Sequence, residues 1–537
     1  MNRRKFVQSL GAAAATAAIA PIPLQASTTP STTASNPAAT KKTSRAERVY
    51  QARLRAAEAV RAHGAAEMPV NGDEERYPQK WGRYSKGLPH DALGNVDMPS
   101  YRAYLEAVLD PEHDRFERIP LGGYLKLANP QAAHAIDLIG PDSEQLTIAP
   151  PPAFASAWQA AELVELYWHA ALRDVPFSAY DDDPLVARAC EEMSKLSDYR
   201  GPRENGRVTP ATLFRGQSVG ARRGPYISQF LVRDIPMAPM RVPQKIRTAT
   251  AGRDWLVGPS DWLNIQNGQL APVPDFDKTP RYVRSGRDLS EYMHRDFPYQ
   301  VGVCATSMLF KMSAPLDGGV PYQYSITQGG FVTFGASDIF HLVATVANLS
   351  LKAAWFQKWI VHRQARPEEL AGRVHFAKTG KERSPLHHDI LDADVLGLIR
   401  DTHDSFLLPQ AYPEASPAHP AYPSGHAVIA GACATVLKAC FTESWVLPGC
   451  VTPSPDGLAL QPYKETALTL GGELDKMAEN VAFGRNFAGI HWRCDAVEGI
   501  ALGEAFAIRY LQEMKLMSPE LFTGFSLTKF DGTKVTV

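Results

Sequence analysis

A short segment that combines imidazole, hydroxyl and glycine groups is the first candidate for chemistry. Residues 419–426 read His-Pro-Ala-Tyr-Pro-Ser-Gly-His, and a run of mostly Ala, Val, Ile and Leu follows. We therefore expect a helix to begin near Ser424 and Gly425, with a hydroxyl and a free backbone N–H at its positive end. His419 and His426 add imidazoles, which titrate near neutral pH. The segment predicts an oxyanion site with an acid–base group beside it.

Two cationic residues lie near the end of a second predicted helix. Apolar residues recur at helical spacing from residue 340 onwards, and Lys358 ends that stripe. A buried lysine is costly unless it meets a negative partner. Arg366 precedes Pro367, which disfavours helix at residue 366, so the chain should turn there and redirect the arginine. Taken alone, the pair fits a snorkelling lysine and a surface arginine better than an anion site.

Arginine, histidine and aspartate combine in a third segment, residues 484–495. His491 and Asp495 are four residues apart on a predicted apolar helix that starts at His491, so they should share one face. A carboxylate there can hold one ring N–H and make the other ring nitrogen a better nucleophile or metal ligand. Taken alone, the segment is equally compatible with an incidental pair.

Together the three segments resemble the signature of the superfamily of vanadium haloperoxidases and type 2 phosphatidic acid phosphatases. That signature is a Lys…Arg-Pro element, a Pro-Ser-Gly-His element and an Arg-x5-His-x3-Asp element, and all three occur here in this order. Seven residues separate Lys358 from Arg366, which looks like the red-algal and related bacterial bromoperoxidases. Gly484 stands where the wider superfamily usually has Ser, as in the algal type. Further segments that look like this group are residues 72–77, 86–90, 120–123 and 329–335.

The resemblance implies vanadate as cofactor and a role for each matched residue. His491 would bind vanadium through a ring nitrogen, with Asp495 behind it. His426 would be the acid–base group, and His419 would lie beside the halide. Lys358, a point charge, would also polarise one oxygen during the reaction. The groups expected to hold the vanadate oxygens belong to Lys358, Arg366, Ser424, Gly425 and Arg485.

The implied reaction is the oxidation of halide by hydrogen peroxide to a hypohalous species, which halogenates small organic acceptors. Bromide is the expected halide, and chloride is a second candidate because of Trp355. This residue lies one helical turn before Lys358, where algal bromoperoxidases of this type have an arginine. A neutral ring would lower the polarity of the site, which we hypothesise favours chloride oxidation.

Other functions fit parts of the same pattern. An acid phosphatase would use His491 as a nucleophile and form a phosphohistidine. A vanadate-binding homologue could have lost halide oxidation or could cyclise a terpenoid. If the chain were a helical protein without enzymatic activity, the presence of three motifs in the correct order would be a coincidence. Integral lipid phosphatases need several apolar spans, and no uncharged apolar stretch of about 20 residues lies beyond the N-terminus, so we expect no membrane insertion of the mature chain.

Helical periodicity dominates the elements that must position these residues. Strand-like alternation is scarce, and residues 330–334 form at most a minor hairpin. The sequence therefore predicts a mainly α protein, and the resemblance implies two four-helix bundles packed together, with minor β hairpins and long loops. Residues 45–330 are predicted to form an N-terminal helical region, and residues 331–537 a C-terminal bundle that carries the vanadate site. The clearest predicted helices cover residues 46–65, 156–172 (amphipathic), 184–196, 285–294 and 337–363.

The N-terminus is predicted to direct export. Residues 1–26 contain the twin-arginine pair Arg3-Arg4, a short apolar stretch and a small-residue cleavage site, and residues 27–44 form a flexible leader rich in Ser, Thr, Ala and Pro. The twin-arginine route exports folded proteins. We therefore expect a periplasmic or secreted enzyme.

Composition excludes some partners and leaves others open. The chain has 56 basic and 57 acidic residues, so its total charge does not favour nucleic acid. Its six cysteines form no CxxC pair, which argues against a zinc or redox site of that type, although a Cys440–Cys450 disulfide is possible. From the algal relatives we also expect a homo-oligomer and a structural calcium ion near residues 317–328.

Overall fold

A computed structural model describes residues 43–537 of the chain. The predicted signal segment and nearly all of the predicted leader lie outside the described residues. Residues 52–537 form one unit with a large hydrophobic core, and residues 43–51 are assigned to a separate unit. The division near residue 330 stays a prediction.

The regular structure of residues 43–537 is almost entirely helical, which confirms the prediction of a mainly α protein. Helix α11 continues directly into a π-helical turn, Gln357–His362. The arrangement as two four-helix bundles stays a prediction. The seventeen α-helices in this part of the chain are α1 (Arg45–His63), α2 (Asp73–Arg76), α3 (Met98–Leu109), α4 (His113–Phe116), α5 (Ala157–Ala171), α6 (Pro184–Lys195), α7 (Gln229–Val232), α8 (Pro259–Gln266), α9 (Gly286–Tyr292), α10 (Gln300–Lys311), α11 (Ala336–Phe356), α12 (Pro367–Lys378), α13 (His388–Leu391), α14 (Asp394–His403), α15 (Gly425–Cys440), α16 (Leu470–Phe487) and α17 (Arg493–Met517).

Strands in the described residues form small antiparallel hairpins. The pairs are β1 (Ile235–Met237) with β2 (Met240–Val242), β3 (Val451–Pro453) with β4 (Leu460–Pro462), and β5 (Ser526–Thr528) with β6 (Lys534–Thr536). Residues 330–334, for which at most a minor hairpin was expected, contain no strand. There the chain folds back so tightly that a Cβ on Gly330 would lie 2.5 Å from the Phe334 carbonyl oxygen. The backbone N–H of Phe334 donates to Asp338 Oδ2 at 2.8 Å, so the segment forms the entry to α11.

Helix α15 lies in the core and fixes the position of the segment that precedes it. It packs against α11, α16 and α17, and nearly all of its residues are buried. Two glycines of α17 allow its close approach to α15. A Cβ on Gly503 would lie 2.0 Å from the Val428 carbonyl oxygen, and one on Gly499 would lie 3.0 Å from the Ser424 carbonyl oxygen. This close crossing holds the first turns of α15 and α17 beside each other.

Helix α5 differs from the predicted amphipathic helix. Its residues from 159 to 170 are all buried, including Glu162 and Glu165. Arg493, at the start of α17, donates from Nε to Glu165 Oε2 at 2.8 Å. The polar face of a helix can therefore be buried where another helix supplies a hydrogen-bond partner. The periodicity of one helix does not reveal such a partner.

Helix α11 and its π-helical continuation, Ala336–His362, are long and apolar enough to cross a membrane by length and composition. The expectation of no such span rests on the lysines that interrupt this stretch. Half of its most apolar window is buried inside the protein, where α11 packs against α10, α15 and α17. A core helix passes the same test, so this feature is weak evidence for membrane insertion.

The cysteines of the chain form no disulfide in the described residues. All six are free, so a Cys440–Cys450 disulfide is not formed. Cys433 and Cys440 are buried on α15, as expected for small core residues. Cys450 lies in a different environment, where its Sγ contacts the Leu447 carbonyl oxygen at 3.4 Å.

Candidate active site

The three segments selected by their chemistry meet in one buried cluster. Arg366 joins them, because its Nη1 lies 3.0 Å from His491 Nε2 and its Nη2 lies 3.0 Å from His419 Nδ1. Lys358 Nζ donates to the backbone carbonyl oxygens of Pro420 and Ala421, each 2.7 Å away, just before the Pro-Ser-Gly-His element. The structure therefore brings together residues that are more than 130 positions apart in the sequence.

Lys358 is positioned by the irregular end of α11. The π-helical turn that contains it ends at Arg363, whose φ of 44° reverses the chain. Extra residues in a π turn often occur at functional sites. Lys358 is fully buried, and its pKa is held well below the usual value by burial first and then by the positive charge of Arg366. An anion bound beside this amine would favour its charged form.

Arg366 takes its position from the start of α12. It precedes Pro367, the first residue of that helix, and its backbone N–H donates to Glu369 Oε1 at 3.1 Å. Nε donates to the His419 carbonyl oxygen at 2.9 Å, and Nη1 donates to the Ile490 carbonyl oxygen at 2.8 Å. Burial lowers the pKa of Arg366 to about 10, so the guanidinium keeps its charge at neutral pH. The result is a fixed cation.

His491 lies two residues before α17, which corrects the prediction that it begins this helix. Asp495 Oδ2 accepts from the backbone N–H of Trp492 at 3.1 Å and from His491 Nδ1 at 2.5 Å. Donation from Nδ1 leaves the lone pair on Nε2, the atom that faces Arg366. Burial, followed by Arg366 and Lys358, lowers the pKa of His491 well below its usual value, so the ring is neutral. Burial raises the pKa of Asp495 to about 7, which nearby positive charge opposes.

Ser424 and Gly425 lie at the start of α15, as predicted. Ser424 caps the helix, with its hydroxyl accepting from the backbone N–H of Ala427 at 3.4 Å. Its own backbone N–H donates to the Asp495 carbonyl oxygen at 3.0 Å, which ties α15 to α17. A Cβ on Gly425 would lie 3.1 Å from Leu351 Cδ1, so glycine fits the narrow space here. Both residues therefore have the buried helix-terminal position that an oxyanion site requires.

His426, the second residue of α15, has a partner that the sequence did not indicate. Its Nε2 lies 3.1 Å from Asp296 Oδ1, and Asp296 comes from the connection between α9 and α10. The His426 side chain is 26% exposed, whereas that of Asp296 is only 3% exposed. Burial and then Arg485 lower the pKa of His426, while Asp296 raises it. His426 is thus a hydrogen-bonded imidazole with access to solvent.

His419 and Trp355 lie beside each other at the cluster. Their ring centroids are 4.8 Å apart with an interplanar angle of 42°. Trp355 Nε1 donates to the Ala128 carbonyl oxygen at 3.2 Å, which fixes the indole. Burial, then Lys358 and Arg366, lower the pKa of His419 well below its usual value. The neutral indole therefore borders the cluster, as expected from its position before Lys358.

Arg485 reaches the cluster from the last turns of α16. It is 6% exposed, its Nη1 donates to the Met293 carbonyl oxygen, and its Cζ lies 5.8 Å from the centroid of the Tyr412 ring. Its buried Nε has no hydrogen-bond partner in the described part of the chain. A Cβ on Gly484 would lie 2.9 Å from Met293 Cγ, which explains why glycine, rather than serine, precedes Arg485. An unpartnered guanidinium N–H indicates room for an acceptor from outside the chain.

The cluster has an excess of positive charge and a matching set of donors. Within residues 43–537, every side-chain hydrogen bond of Lys358, Arg366 and Arg485 goes to a carbonyl oxygen or a histidine nitrogen. Guanidinium groups, an ammonium group and a helix N-terminus suit a tetrahedral oxyanion. A neutral imidazole backed by a carboxylate suits a metal. Vanadate is a tetrahedral oxyanion with a metal at its centre, so the residues present fit it.

Known proteins resemble this chain over most of its length. The family model described as the VCPO second helical-bundle domain matches residues 398–518, which include α15 and α16. A vanadium-dependent bromoperoxidase of Ascophyllum nodosum is 37% identical over 485 residues, covering 84% of this chain and 87% of that protein. A vanadium-dependent bromoperoxidase of Corallina officinalis is 32% identical, covering 92% of this chain and 98% of that protein.

A solved structure has the same fold. The homohexameric second vanadate-dependent bromoperoxidase of Ascophyllum nodosum matches with a TM-score of 0.88 and 30% identity, covering 95% of this chain and 94% of that chain. These comparisons confirm the family predicted from the three motifs. The chain belongs to the vanadium-dependent bromoperoxidase family.

Proposed function

We propose that this protein is a vanadate-dependent haloperoxidase, which oxidises bromide with hydrogen peroxide to a hypohalous species that halogenates small organic acceptors. The observation that carries the proposal is the neutral Nε2 of His491. It faces a cluster of cations whose side-chain hydrogen bonds, within the described residues, involve no carboxylate. Family membership supports the same activity, because the relatives are named vanadium-dependent bromoperoxidases.

The proposed cofactor site uses groups from five helix ends. His491 Nε2 would bind vanadium, and Asp495 keeps the proton on Nδ1 so that Nε2 stays free. When bound, vanadate supplies a Lewis-acidic centre that activates hydrogen peroxide at a constant oxidation state. The cations are held in place before the anion arrives, in a dry site where their charges act more strongly than in water. The groups that would hold the oxygens are the side chains of Lys358, Arg366, Ser424 and Arg485 and the backbone N–H of Gly425.

Two histidines and a lysine have further roles in the proposed reaction. Asp296 holds Nε2 of His426, so Nδ1 is the atom at which this ring takes up or releases a proton. Lys358 is a compact point charge, which can polarise one oxygen where the arginine forks cannot. His419, between Arg366 and the Trp355 ring, would border the halide. The neutral indole there favours chloride as a second halide.

Reconstitution tests this function. Protein prepared without vanadium should gain bromide oxidation when orthovanadate is added, and inorganic phosphate should block that gain because it has the same shape. His491→Ala should contain no vanadium after dialysis, while His113→Ala, which replaces an exposed histidine of α4, should contain as much as the wild type. Stoichiometric vanadium in His491→Ala would exclude the ligand assignment.

The same arrangement gives the alternative function a physical basis. A neutral imidazole with a carboxylate behind it is also what a phosphohistidine nucleophile needs. Hydrolysis of phosphate esters by the protein, with no halogenation after vanadate is added, would favour the acid phosphatase over the haloperoxidase.

We further propose export of the folded enzyme to the periplasm or the medium through the twin-arginine route. The arginine pair and the apolar stretch of residues 1–26 support this proposal. Replacing Arg3 and Arg4 by Lys should retain the protein in the cytoplasm, as measured by cell fractionation. Equal export of the variant and the wild type would contradict it.

A homo-oligomer and a structural calcium ion are the remaining proposals. The homohexameric structure of the Ascophyllum nodosum relative supports an oligomer, which light scattering coupled to size exclusion would detect. Calcium near residues 317–328 rests on resemblance, and metal analysis of protein with Asp317→Ala would test it.

A further inference from the structure

A histidine–histidine–aspartate cluster at the start of α13 uses none of the groups assigned to the cofactor. Asp389 Oδ1 lies 3.2 Å from His388 Nδ1 and 3.6 Å from His387 Nδ1. One ligand atom from each residue lies within 4.8 Å of the other two. Imidazole nitrogen and carboxylate oxygen are ligands that zinc prefers in proteins.

The carboxylate of Asp389 is buried without a permanent cation. Its side chain is only 7% exposed. Ser197, which follows α6, donates its backbone N–H to Oδ2 at 2.8 Å and its hydroxyl to Oδ1 at 3.1 Å. Within residues 43–537, the basic side chains within 4.0 Å of Asp389 are the two histidines. The carboxylate therefore has hydrogen bonds but no permanently charged partner, and a bound metal ion would supply the positive charge.

The Nδ1 atom of His387 is positioned as a hydrogen-bond acceptor. Its Nδ1 accepts a hydrogen bond from the backbone N–H of Asp389 at 3.2 Å and so caps α13. A nitrogen that accepts in this way carries its one lone pair and does not donate a proton to the carboxylate, so a metal bound at Nδ1 would replace the hydrogen bond from the Asp389 N–H.

Two distances between candidate ligand atoms of the cluster match a tetrahedral metal site. A metal about 2.1 Å from each of its ligands places those ligand atoms about 3.4 Å apart. The two distances from Asp389 Oδ1, 3.2 Å and 3.6 Å, lie on either side of this value.

We propose that His387, His388 and Asp389 bind Zn²⁺, with water completing the coordination. The His388 side chain is 71% exposed, so the ion reaches the site directly from solvent. Ser197 holds the carboxylate from another part of the chain, and a bound ion therefore strengthens the connection between the end of α6 and the start of α13. Since the ion binds this folded arrangement more tightly than the unfolded chain, it raises the unfolding temperature.

Calorimetric titration with ZnCl₂ tests the site. The sample is the full chain without a histidine tag, loaded with vanadate and dialysed against a chelating resin. We expect one ion per chain with Kd in about the micromolar range, and at least tenfold weaker binding in His388→Ala. His113→Ala is the matched control, because it removes an exposed histidine outside the cluster and should bind Zn²⁺ as the wild type does. Bromide oxidation should be equal in both variants.

A second variant and a second metal separate this site from a histidine–aspartate pair without metal. Asp389→Asn keeps the size of the side chain but removes its charge, so it should also weaken Zn²⁺ binding. Co²⁺ should give the intense d–d absorption of a four-coordinate site in the wild type, and His388→Ala should lose it. Absence of stoichiometric binding to the wild type at about 1 mM Zn²⁺, or equal affinity in the wild type and His388→Ala, overturns the proposal.

Discussion

Replacing Asp296 tests how the structure sets the proton affinity of His426. The carboxylate lies 3.1 Å from the imidazole Nε2 and stabilises its protonated form, while burial and Arg485 lower the pKa of His426. A charge-assisted hydrogen bond contributes about 1.5 kcal/mol at the lower end of its range, which suits a ring that is 26% exposed. About 1.4 kcal/mol corresponds to one pKa unit. Asp296→Asn should therefore lower the pKa of His426 by about one unit.

The assay is kcat for bromide oxidation as a function of pH in vanadate-loaded protein. The limb, the part of the pH profile that reflects the titration of His426, is identified because it is lost in His426→Ala. In Asp296→Asn this limb should move to lower pH by about one unit, and vanadium content should stay the same. Glu291→Gln is the matched control, because its carboxylate lies 3.3 Å from His294 Nδ1 and should leave the limb in place. An unmoved limb at full vanadium content, or a shift to higher pH, would refute the reasoning.

Three further substitutions probe the metal ligand, the halide preference and the helix packing. Asp495→Asn keeps the side-chain size but removes the charged acceptor of the imidazole N–H, so vanadium affinity in equilibrium dialysis should fall about 10- to 100-fold. Trp355→Arg places a charge beside His419, whose ring centroid lies 4.8 Å from that of the indole, and should raise the ratio of bromide to chloride turnover. Gly503→Ala directs a Cβ to within 2.0 Å of the Val428 carbonyl oxygen, so the free energy of unfolding in denaturant should fall by about 1–3 kcal/mol.

Each of these three predictions can be contradicted by a control variant or by an opposite result. Glu498→Gln changes a carboxylate of α17 that accepts from the Ala149 backbone N–H, so an equal loss of vanadium affinity there would argue against a specific role for Asp495. An unchanged halide ratio in Trp355→Arg would contradict the polarity hypothesis. Gly397→Ala, in α14, meets no atom within 4 Å, and equal stability of this variant and Gly503→Ala would show that the helix crossing adapts.

The residues of the proposed cofactor site were predicted from three motifs in the order of a known family, and local geometry accounts for the position of several of them. Ser424 caps α15, and Arg366 precedes the proline that begins α12. The hydrogen bond between His491 and Asp495 spans four residues, although it caps the helix and does not run along its face. Capping, proline sterics and a helix N-terminus act within one or two turns, so the sequence alone indicates them.

Other features depend on surfaces that meet only in the folded chain. Periodicity did not show that α5 would be buried on all sides, because Arg493 from α17 is the partner of Glu165. A Cys440–Cys450 disulfide, which the sequence leaves possible, is not formed for a related reason. Cys440 is buried in the core on α15, while Cys450 lies in a loop with another partner.

The mainly α fold and the family follow from the amino-acid sequence and its resemblance to known proteins, and the same resemblance supplies the residues proposed to surround vanadate. Packing of the folded chain brings Asp296 to His426, 130 residues away, and Ser197 to Asp389, 192 residues away. The physical reason is the range of the forces involved. Backbone sterics and helix capping are fixed by neighbouring residues, whereas the partner of a buried polar group is whichever side chain packing brings within hydrogen-bond distance.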